Sequence, residues 1–257
     1  MSLLSKEEIE RYARHIMLRE VGGPGQQRLK RATVALVGVG GLGAPAALYL
    51  AAAGVGALRL IDDDQVSLSN LQRQILFTTK GVGQGKTETA AAALTALNPH
   101  VIVDQRPTRL TPETAQDLLQ GADLVLDGSD SFSTRFAVNA ACHALGVPLV
   151  SGAVGRWDGQ LGLFASGLTK AKPAKERLPC YRCFVPEEPP EAETCAAVGV
   201  IGALPGVIGA AMALEAVKHL TGAGQTLSGR LWLFDGLNLE SRTVVLPRDL
   251  ACPVCGD

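Results

Sequence analysis

One uncharged segment, residues 32–58, constrains the fold of this chain more than any other feature. It begins with an apolar, β-rich stretch at 33–37, passes through a glycine-rich turn and an alanine-rich stretch, and ends in a second apolar stretch at 57–61. Asp62 and two further aspartates follow directly. This order of strand, glycine turn, helix, strand and acid is typical of a Rossmann nucleotide site. The sequence therefore predicts an α/β fold whose first βαβ unit holds a nucleotide.

The glycine-rich turn is the predicted phosphate contact. Its glycines let the backbone approach a phosphate, and the helix after the turn offers unpaired N–H donors at its N-terminus. The glycines concerned are Gly38, Gly40, Gly41 and Gly43. Asp62 lies about 20 residues after Gly40, which is the spacing expected of an acid that binds ribose hydroxyls. The turn alone does not distinguish ATP from a nicotinamide or flavin nucleotide.

Charge and hydropathy limit the partners of this chain. The 24 Lys and Arg residues are balanced by 25 Asp and Glu residues, so the basic excess typical of nucleic-acid-binding proteins is missing. The segment 32–58 and a second uncharged segment, 195–214, are each long enough to be membrane-helix candidates. Six glycines and Pro45 make the first a poor membrane helix, and the charged N-terminus lacks the apolar block of a secretory signal. We therefore expect a cytoplasmic protein that binds neither nucleic acid nor a membrane.

Two cations follow the second predicted strand. Lys86 lies where a helix is predicted to start, and a cation in the first turn opposes the helix dipole. A bound anion would remove that conflict, and Arg73 is a second cation for the same anion. The alternative is that both are ordinary surface charges. Lys86 belongs to no P-loop, because that motif needs a glycine at position 80, where this chain has a lysine.

Asp130 follows a third predicted apolar strand, 124–126. Acids at the carboxyl end of a parallel strand face the ligand crevice, so Asp130 is a candidate ligand of Mg²⁺ beside phosphates. Asp130 is equally well suited to cap the helix predicted to begin near Thr134. The residues alone leave both interpretations open.

Four of the six cysteines form two C-x-x-C pairs, Cys180 with Cys183 and Cys252 with Cys255. Two such pairs supply the four thiolates of a closed structural zinc site, which we favour over a redox pair or disulfides. Cys142 lies in an apolar helical stretch and is predicted to be a core residue. Cys195, at a junction between a loop and a helix, is either an activated thiolate or a buried inert thiol.

The remaining pattern completes the predicted fold. Further strands are expected at 149–154, 160–165, 231–234 and 243–246, with a helix at 205–220. Ser5 and Glu8 have the spacing of a capping box, and apolar residues from Ile9 to Met17 fit one face of an N-terminal helix. We expect a single domain over 1–257 with a Rossmann-like, mostly parallel sheet flanked by helices, C-terminal antiparallel strands and a structural zinc site.

Taken together, these motifs resemble the ubiquitin-activating-type adenylyltransferases of bacteria, and most closely those that serve molybdopterin synthase and the thiamine-pathway sulfur carrier. The motifs that carry the resemblance are Arg11-Tyr-x-Arg14, Gly38-x-Gly-Gly-x-Gly43, Ser67-Leu-Ser-Asn-Leu-Gln-Arg-Gln74, Gly83-x-x-Lys86, Asp127-x-x-Asp130 and both C-x-x-C pairs. They extend from Arg11 to Cys255. The segment that ends at Gln74 is the most specific of them, and the glycine motif by itself is the least.

The resemblance implies site roles and a nucleotide. It implies ATP rather than NAD, with an ATP-binding part at 1–165 and, at 166–257, a crossover loop that includes the charged residues 170–177, the zinc site and a carrier-docking part. It implies that Arg14 reaches across a homodimer into the partner's ATP site. The residues implied to bind ATP, Mg²⁺ or phosphate are Gly41, Asp62, Ser69, Asn70, Leu71, Gln72, Arg73, Lys86, Asp130 and Ser131.

The reaction implied by the resemblance is adenylation of a small β-grasp sulfur carrier that ends in Gly-Gly. The carrier's carboxylate attacks the α-phosphate of ATP, pyrophosphate leaves, and an acyl-adenylate forms for later sulfur transfer. We expect the sulfur to come from a separate donor protein, because the sequence has no sulfurtransferase domain after Cys255. The molybdenum-cofactor, thiamine and tRNA-thiolation pathways use similar enzymes.

Three positions bear on how far the family's site roles apply to this chain: two depart from the family pattern, and the third has a role that varies among relatives. Ser131 stands where the family has Asn after the magnesium aspartate, and His15 stands where it has Gln after Arg14. Cys195 matches a position that accepts the carrier or sulfur in some relatives and is dispensable in others.

A Rossmann NAD-dependent oxidoreductase is the alternative, although it leaves Arg73 and Lys86 without a role. A non-catalytic, zinc-stabilised scaffold of the same fold is the other.

Overall fold

The computed structural model describes residues 4–188 and 199–256. The strands are β1 Thr33–Val37, β2 Ala57–Ile61, β3 Ile102–Arg106, β4 Leu124–Asp127, β5 Leu149–Gly155, β6 Asp158–Phe164, β7 Arg230–Asp235 and β8 Glu240–Val245. The helices in the described ranges are α1 Lys6–Arg11, α2 Ala13–Ile16, α3 Gly22–Arg31, α4 Gly43–Ala53, α5 Lys86–Leu97, α6 Ala115–Leu119, α7 Phe132–Leu145, α8 Ser166–Thr169, α9 Tyr181–Phe184 and α10 Ala203–Thr221. Short 3₁₀ turns lie at Leu68–Asn70, Thr79–Gly81 and Ala174–Glu176.

All eight strands form one sheet in the order β3-β2-β1-β4-β5-β6-β7-β8. The first five are parallel, and β6, β7 and β8 continue the sheet in antiparallel pairs. The direction of strand addition reverses between β1 and β4, which is where an open α/β sheet binds its ligand. The predicted fold class is confirmed.

The core lies on both faces of the parallel strands, because successive strand residues point to opposite sides. Val34 and Leu36 of β1 pack with α4 residues in one buried cluster. Ala35 and Val37 of the same strand pack in a second cluster with α7. Burial on both faces accounts for the uncharged sequence that predicted this strand.

The helix α10 contains most of the second uncharged segment and is long and apolar enough to cross a membrane by length and composition alone. Its side chains Ile208, Met212 and Ala216 are buried in the same cluster as β1. Glu215 on this helix is also buried, and it accepts a hydrogen bond from Lys218 Nζ at 2.7 Å. The helix is thus a core helix of this sheet, packed against α4, β5 and β6.

The N-terminal helix differs from its prediction. The capping box is present, since Glu8 N donates to Ser5 Oγ at 3.1 Å and Ser5 N donates to Glu8 Oε2 at 2.7 Å. The helix breaks at Tyr12 into α1 and α2, however, and Ile9 and Met17 are exposed. The reason is that Tyr12 is held in the core, where Asn98 Nδ2 donates to its hydroxyl at 2.8 Å.

The strand β3 is missing from the sequence prediction. It is one of the two edge strands of the sheet, and all its residues are exposed or half-buried, so it lacks the apolar run that marked the central strands. The predicted helix at 205–220 and the predicted strands agree with the structure to within a few residues at each end.

Candidate active site

A cleft of about 580 Å³ lies beyond the carboxyl ends of β1, β2 and β4. Its volume is in the range of small-molecule sites. The predicted site residues that line it are Gly38, Gly40, Gly41, Asp62, Arg73, Lys86, Asp130 and Ser131. The topology therefore brings together residues that are far apart in the sequence.

The glycine turn forms one wall of the cleft. Gly38 has a φ of +81°, a conformation that favours glycine, and its N–H donates to Ile61 O at 2.9 Å. Gly43 begins α4, and a Cβ there would lie 2.0 Å from the Gly38 carbonyl oxygen. Gly43 does not line the cleft; it permits the tight turn, while Gly40 and Gly41 present backbone to the cleft.

Asp62 ends β2 and is fixed by two backbone groups. Its Oδ2 accepts from Val39 N at 2.7 Å, and its Oδ1 accepts from Asp64 N at 2.9 Å. Burial raises the pKa of Asp62, and the nearby Lys86 acts in the opposite direction. Each carboxylate oxygen keeps lone-pair capacity for a further donor, as the predicted ribose contact requires.

Lys86 is the first residue of α5 and is only 5 % exposed. Its Nζ donates to Asp64 Oδ2 at 2.7 Å, whereas the Asp64 side chain is 57 % exposed. A buried ammonium group needs an anion beside it, and here the anion is a carboxylate that faces solvent. The helix start predicted at this lysine is confirmed.

The segment around Arg73 contributes less to the cleft wall than the resemblance implies. Arg73 lines the cleft and donates from Nη1 to Ser69 O at 3.2 Å, and the buried Gln74 lines the cleft beside it. The four residues before them form a 3₁₀ turn and its continuation and are not among the lining residues: Ser69, Asn70, Leu71 and Gln72. Their contact with a nucleotide stays a prediction.

Asp130 and Ser131 lie in the loop between β4 and α7. Ser131 is the N-cap of α7, because its Oγ accepts from Thr134 N at 3.2 Å. Asp130 is exposed and lines the cleft, so the capping role considered for it belongs to its neighbour. This leaves the Asp130 carboxylate available to a ligand.

The buried Arg135 supports the loop that carries Asp130. Its guanidinium donates to Ser129 O and, at 3.0 Å, to Gly152 O of β5. On the opposite side of the same loop, Asp127 Oδ1 accepts from Ser129 N at 3.0 Å and from Ser129 Oγ at 2.7 Å. The loop conformation is therefore fixed by two buried charged groups, although neither was a predicted site residue.

Two predicted residues lie outside this cleft. Arg14 of α2 is exposed and is not among the residues that line the cleft of its own chain. Its predicted action across a dimer interface is compatible with that position and stays a prediction. Cys195 lies outside the described residues.

The two C-x-x-C pairs meet in space, as predicted. The thiol sulfurs of Cys180, Cys183, Cys252 and Cys255 all lie within 4.8 Å of one another. Cys180 Sγ is 3.5 Å from Cys252 Sγ, and Cys183 Sγ is 3.3 Å from Cys255 Sγ. A tetrahedral ion with Zn–S bonds of about 2.3 Å would place its sulfurs about 3.8 Å apart. The donor set and its spacing thus fit Zn²⁺.

The surroundings of the four thiols also fit a metal. Asn139 Nδ2 donates to Cys180 Sγ at 3.6 Å, and Asp249 N donates to Cys183 Sγ at 3.4 Å. Hydrogen bonds from neighbouring thiols lower the pKa of Cys183 and raise the pKa of Cys180. The lowered pKa favours the thiolate, which is the metal-binding form, at Cys183, and the two N–H donors would support sulfurs that bind a metal.

A second cavity, of about 670 Å³, lies over the antiparallel strands. It shares Ala153, Val154 and Gln160 with the first cleft, so the two adjoin. The rim of the second cavity carries Asp158, Asp235 and Glu240. The cleft and the second cavity thus meet along β5 and β6.

Several cleft residues escaped the sequence reasoning. Asp64 was only part of a run of aspartates, and the run did not reveal which of them binds Lys86. Arg109 follows β3, the strand that was not predicted, and donates to Asp63 Oδ2 at 3.2 Å. Gln74 stood within a recognised motif, and Tyr181 lay between two cysteines, but neither position indicated burial at the cleft.

A model of the ThiF family matches residues 12–254 of this chain. The chain belongs to the ThiF family. This ThiF-family chain is 48% identical over 255 residues to the sulfur carrier protein adenylyltransferase of Thermus thermophilus, across 98% of this chain and 93% of that protein. It is 43% identical over 256 residues to the molybdopterin-synthase adenylyltransferase of Salmonella typhimurium, across 100% of both chains. The predicted family is confirmed.

A solved structure shows the same fold at low identity. Escherichia coli MccB superposes with a TM-score of 0.82 at 23% identity, across 98% of this chain and 74% of that chain. At that identity the likeness concerns the fold alone. It supports the predicted fold class.

Proposed function

We propose that this ThiF-family chain is an ATP-dependent adenylyltransferase that activates the C-terminal Gly-Gly carboxylate of a small ubiquitin-like sulfur carrier. The observation that carries the proposal is the combined cleft. Its nucleotide side holds the glycine turn, Asp62, Arg73 and Lys86, and its other side opens along β5 and β6 to a cavity large enough for a polypeptide tail. Two relatives are named as adenylyltransferases of a sulfur carrier protein and of molybdopterin synthase, and these names support the same substrate class.

The chemistry suits the residues of the cleft. A carboxylate attacks the α-phosphorus, the bond from that phosphorus to the bridging oxygen breaks, and pyrophosphate leaves with the bonding electrons. The attacking carboxylate is already ionised, so the step needs no general base. None of the four histidines, all within the described ranges, lines the cleft. The protein must instead align the two reactants and neutralise charge.

Lys86 and Arg73 are the groups that neutralise the phosphates in this proposal. For Lys86 to bind a phosphate, its Nζ must leave Asp64, whose side chain is free to turn into solvent. The buried position of Lys86 then strengthens its interaction with the incoming anion, since less water screens it. Asp62 holds the ribose, and the backbone of Gly40 and Gly41 lies against the phosphates.

Two metal ions belong to the proposal. Asp130 would hold Mg²⁺ with the phosphates, and that ion would supply further charge neutralisation when bound. The four cysteines would hold Zn²⁺ as a closed structural site that ties the C-terminal segment to α9. The spacing of the sulfurs supports the second assignment, and the exposure of the Asp130 carboxylate in the cleft supports the first.

A homodimer is the third part of the proposal. Arg14 lies on the same N-terminal segment as the exposed apolar side chains Ile9, Met17 and Leu18. Exposed apolar residues clustered in one segment are typical of an interaction surface. A second copy of this chain on that surface would bring Arg14 to the partner's cleft. A separate donor protein would then supply sulfur to the acyl-adenylate, in the cytoplasm.

Exchange of labelled pyrophosphate into ATP tests the proposed function. The assay uses the intact protein with the small subunit of molybdopterin synthase or the thiamine-pathway carrier, each ending in Gly-Gly. We expect exchange with at least one of them, and none when its last two glycines are removed. Exchange without any carrier, or calorimetric binding of NAD with no binding of ATP, would overturn the proposal in favour of another nucleotide enzyme of this fold.

A further inference from the structure

Gln74 places a carboxamide in the wall of the cleft without a partner for its oxygen. The side chain is 5 % exposed and lines the cleft. Its Oε1 atom accepts no hydrogen bond within the described part of the chain. The Nε2 atom lies against the glycine turn, 3.2 Å from where a Cβ on Gly40 would be. A buried acceptor left unsatisfied is destabilising, so the group is expected to meet a donor when the site is filled.

The donor is sought among the groups that each proposed substrate offers. Phosphate oxygens at the turn are acceptors and cannot donate to Oε1. The ribose hydroxyls are assigned to Asp62 at the end of β2. A polypeptide tail that ends in two glycines offers backbone N–H donors and has no side chains to fill the space. The adenine amino group is the other N–H donor of the two substrates, and a contact with it would appear as a rise in the ATP KM.

Gln74 lies on a segment packed between the glycine turn and the residues that lead into α10. Pro205, near the start of α10, lies against the glycine turn, since a Cβ on Gly41 would be 3.2 Å from its Cβ. Gly202 lies so close to the backbone of Gln72 that a Cβ there would be 2.2 Å from the Gln72 carbonyl oxygen. The chain at Gln72–Gln74 is thus packed between the phosphate turn and residues 202–205. Pro205 and Val200 line the same cleft as Ala153 and Val154.

We propose that Gln74 Oε1 accepts a hydrogen bond from the backbone N–H of the carrier's C-terminal glycine and so aims its carboxylate at the α-phosphorus. The inference rests on the proposed adenylation of a Gly-Gly carrier. It assigns Gln74 to the carrier and not to the nucleotide. Loss of this contact should therefore act on the carrier's KM and leave that of ATP unchanged.

The test combines a variant of the protein with a variant of the carrier. Gln74→Met keeps the length of the side chain and removes its hydrogen-bonding atoms. The carrier is the one that supports pyrophosphate exchange in the assay of the proposed function. Its last peptide bond is replaced by an ester, which removes the N–H of the terminal glycine and keeps the carboxylate. Gln116→Met, an exposed glutamine on α6, is the control for the substitution itself.

We expect either change alone to raise the carrier's KM about tenfold, which corresponds to a hydrogen bond of ~1.4 kcal/mol. Both changes together should raise it no further, because they remove the same contact. The ATP KM should stay within about twofold, and Gln116→Met should match the unaltered protein.

Two outcomes would overturn the inference. If the two changes together raise the carrier's KM by the product of their separate effects, Gln74 and the terminal N–H act separately. If Gln74→Met raises the ATP KM, Gln74 contacts the nucleotide. If thermal unfolding shows that Gln74→Met is not folded, Gln74→Asn, which withdraws the carboxamide by one methylene, takes its place in the same cycle. Absence of exchange with the unaltered protein and carriers is a different result, and it refutes the proposed function itself.

Discussion

Two ion pairs of the same length lie in different regions of this molecule. In the cleft, Lys86 Nζ is 2.7 Å from Asp64 Oδ2, and near the N-terminus Lys30 Nζ is 2.7 Å from Glu8 Oε2. They differ in which partner is buried. In the cleft the cation is buried and the anion is exposed, whereas at the N-terminus the anion Glu8 is the more deeply buried group.

The difference indicates what each pair is for. Glu8 Oε2 accepts from both Ser5 N and Lys30 Nζ, so this one oxygen holds the start of α1 on α3. The Asp64 carboxylate can move into solvent, which leaves a buried ammonium group facing a cleft of nucleotide size. An ion pair with an exposed, exchangeable anion points to binding, and one with a buried anion held by a second donor points to stability.

The proposed zinc site at the four thiols belongs, like the Glu8–Lys30 pair, to the structural part of the molecule. Removing its metal should have the largest effect of the changes considered. Removal of the metal with a chelator should lower the unfolding midpoint by roughly 10 °C. This corresponds to about 4 kcal/mol, well below the free energies typical of structural zinc, at 2–4 °C per kcal/mol for a chain of this size. Calorimetry and metal analysis measure it. Added Zn²⁺ should restore the midpoint and added Mg²⁺ should not; a metal-free protein with the same midpoint would contradict the assignment.

Lys86→Met tests the binding side of the comparison directly. Carrier-dependent pyrophosphate exchange should fall by about 10²–10³, because a preorganised charge at the phosphates is lost. The unfolding midpoint should change little, since the remaining Asp64 is already exposed to water.

Lys30→Met is the matched control for that prediction. It should lower the free energy of unfolding by about 2 kcal/mol, because it leaves Glu8 buried without this partner, and it should retain exchange. If the two variants behaved alike in both measurements, the distinction between the two ion pairs would be wrong.

The proposed role of Arg14 would weaken the contrast between the two regions, because it gives the N-terminal region a function in the cleft of the partner subunit. Arg14→Met and Lys86→Met should each be nearly inactive as homodimers. Mixed and allowed to exchange subunits in equal amounts, they should recover about a quarter of the normal rate, since half of the dimers are mixed and each of these has one intact cleft. No recovery, despite mixed dimers detected by native mass spectrometry, would place Arg14 outside the partner's cleft.

The smallest effect concerns the pH dependence of the N-terminal pair. Burial alone would raise the pKa of Glu8, but the hydrogen bonds from Lys30 and Ser5 outweigh it, and the pKa is lowered below 4.5. A lowered pKa contributes stability above the unfolded value of about 4.5, and that contribution is lost as the pH falls through the folded value.

Glu8→Gln should therefore lower the free energy of unfolding by about 1 kcal/mol at pH 7. The difference from the unaltered protein should shrink as the pH falls below 4.5. Denaturant titrations at several pH values measure it, and a difference that grew on acidification would contradict the lowered pKa.

Much of the fold was predictable because local spacing carries it. The apolar runs at β1, β2 and β4 are buried on both faces, so their sequence is nearly free of charge and their limits are sharp. The edge strand β3 was missed because three of its five residues are polar and none is buried, as an edge position allows. The N-terminal helix was predicted as one piece, since its periodicity could not show that Asn98, far along the chain, holds Tyr12 in the core.

The sequence by itself determined the chemistry available to this protein: a glycine turn, acids after strands, two cations and two cysteine pairs, each set by residues close together in the chain. Only the tertiary structure decided which of them face one cleft. It placed Arg73 and Gln74 of their motif in the cleft wall, paired Lys86 with Asp64, and brought Cys180 beside Cys252. Periodicity and spacing are local properties of the chain, whereas burial and juxtaposition depend on how distant elements pack.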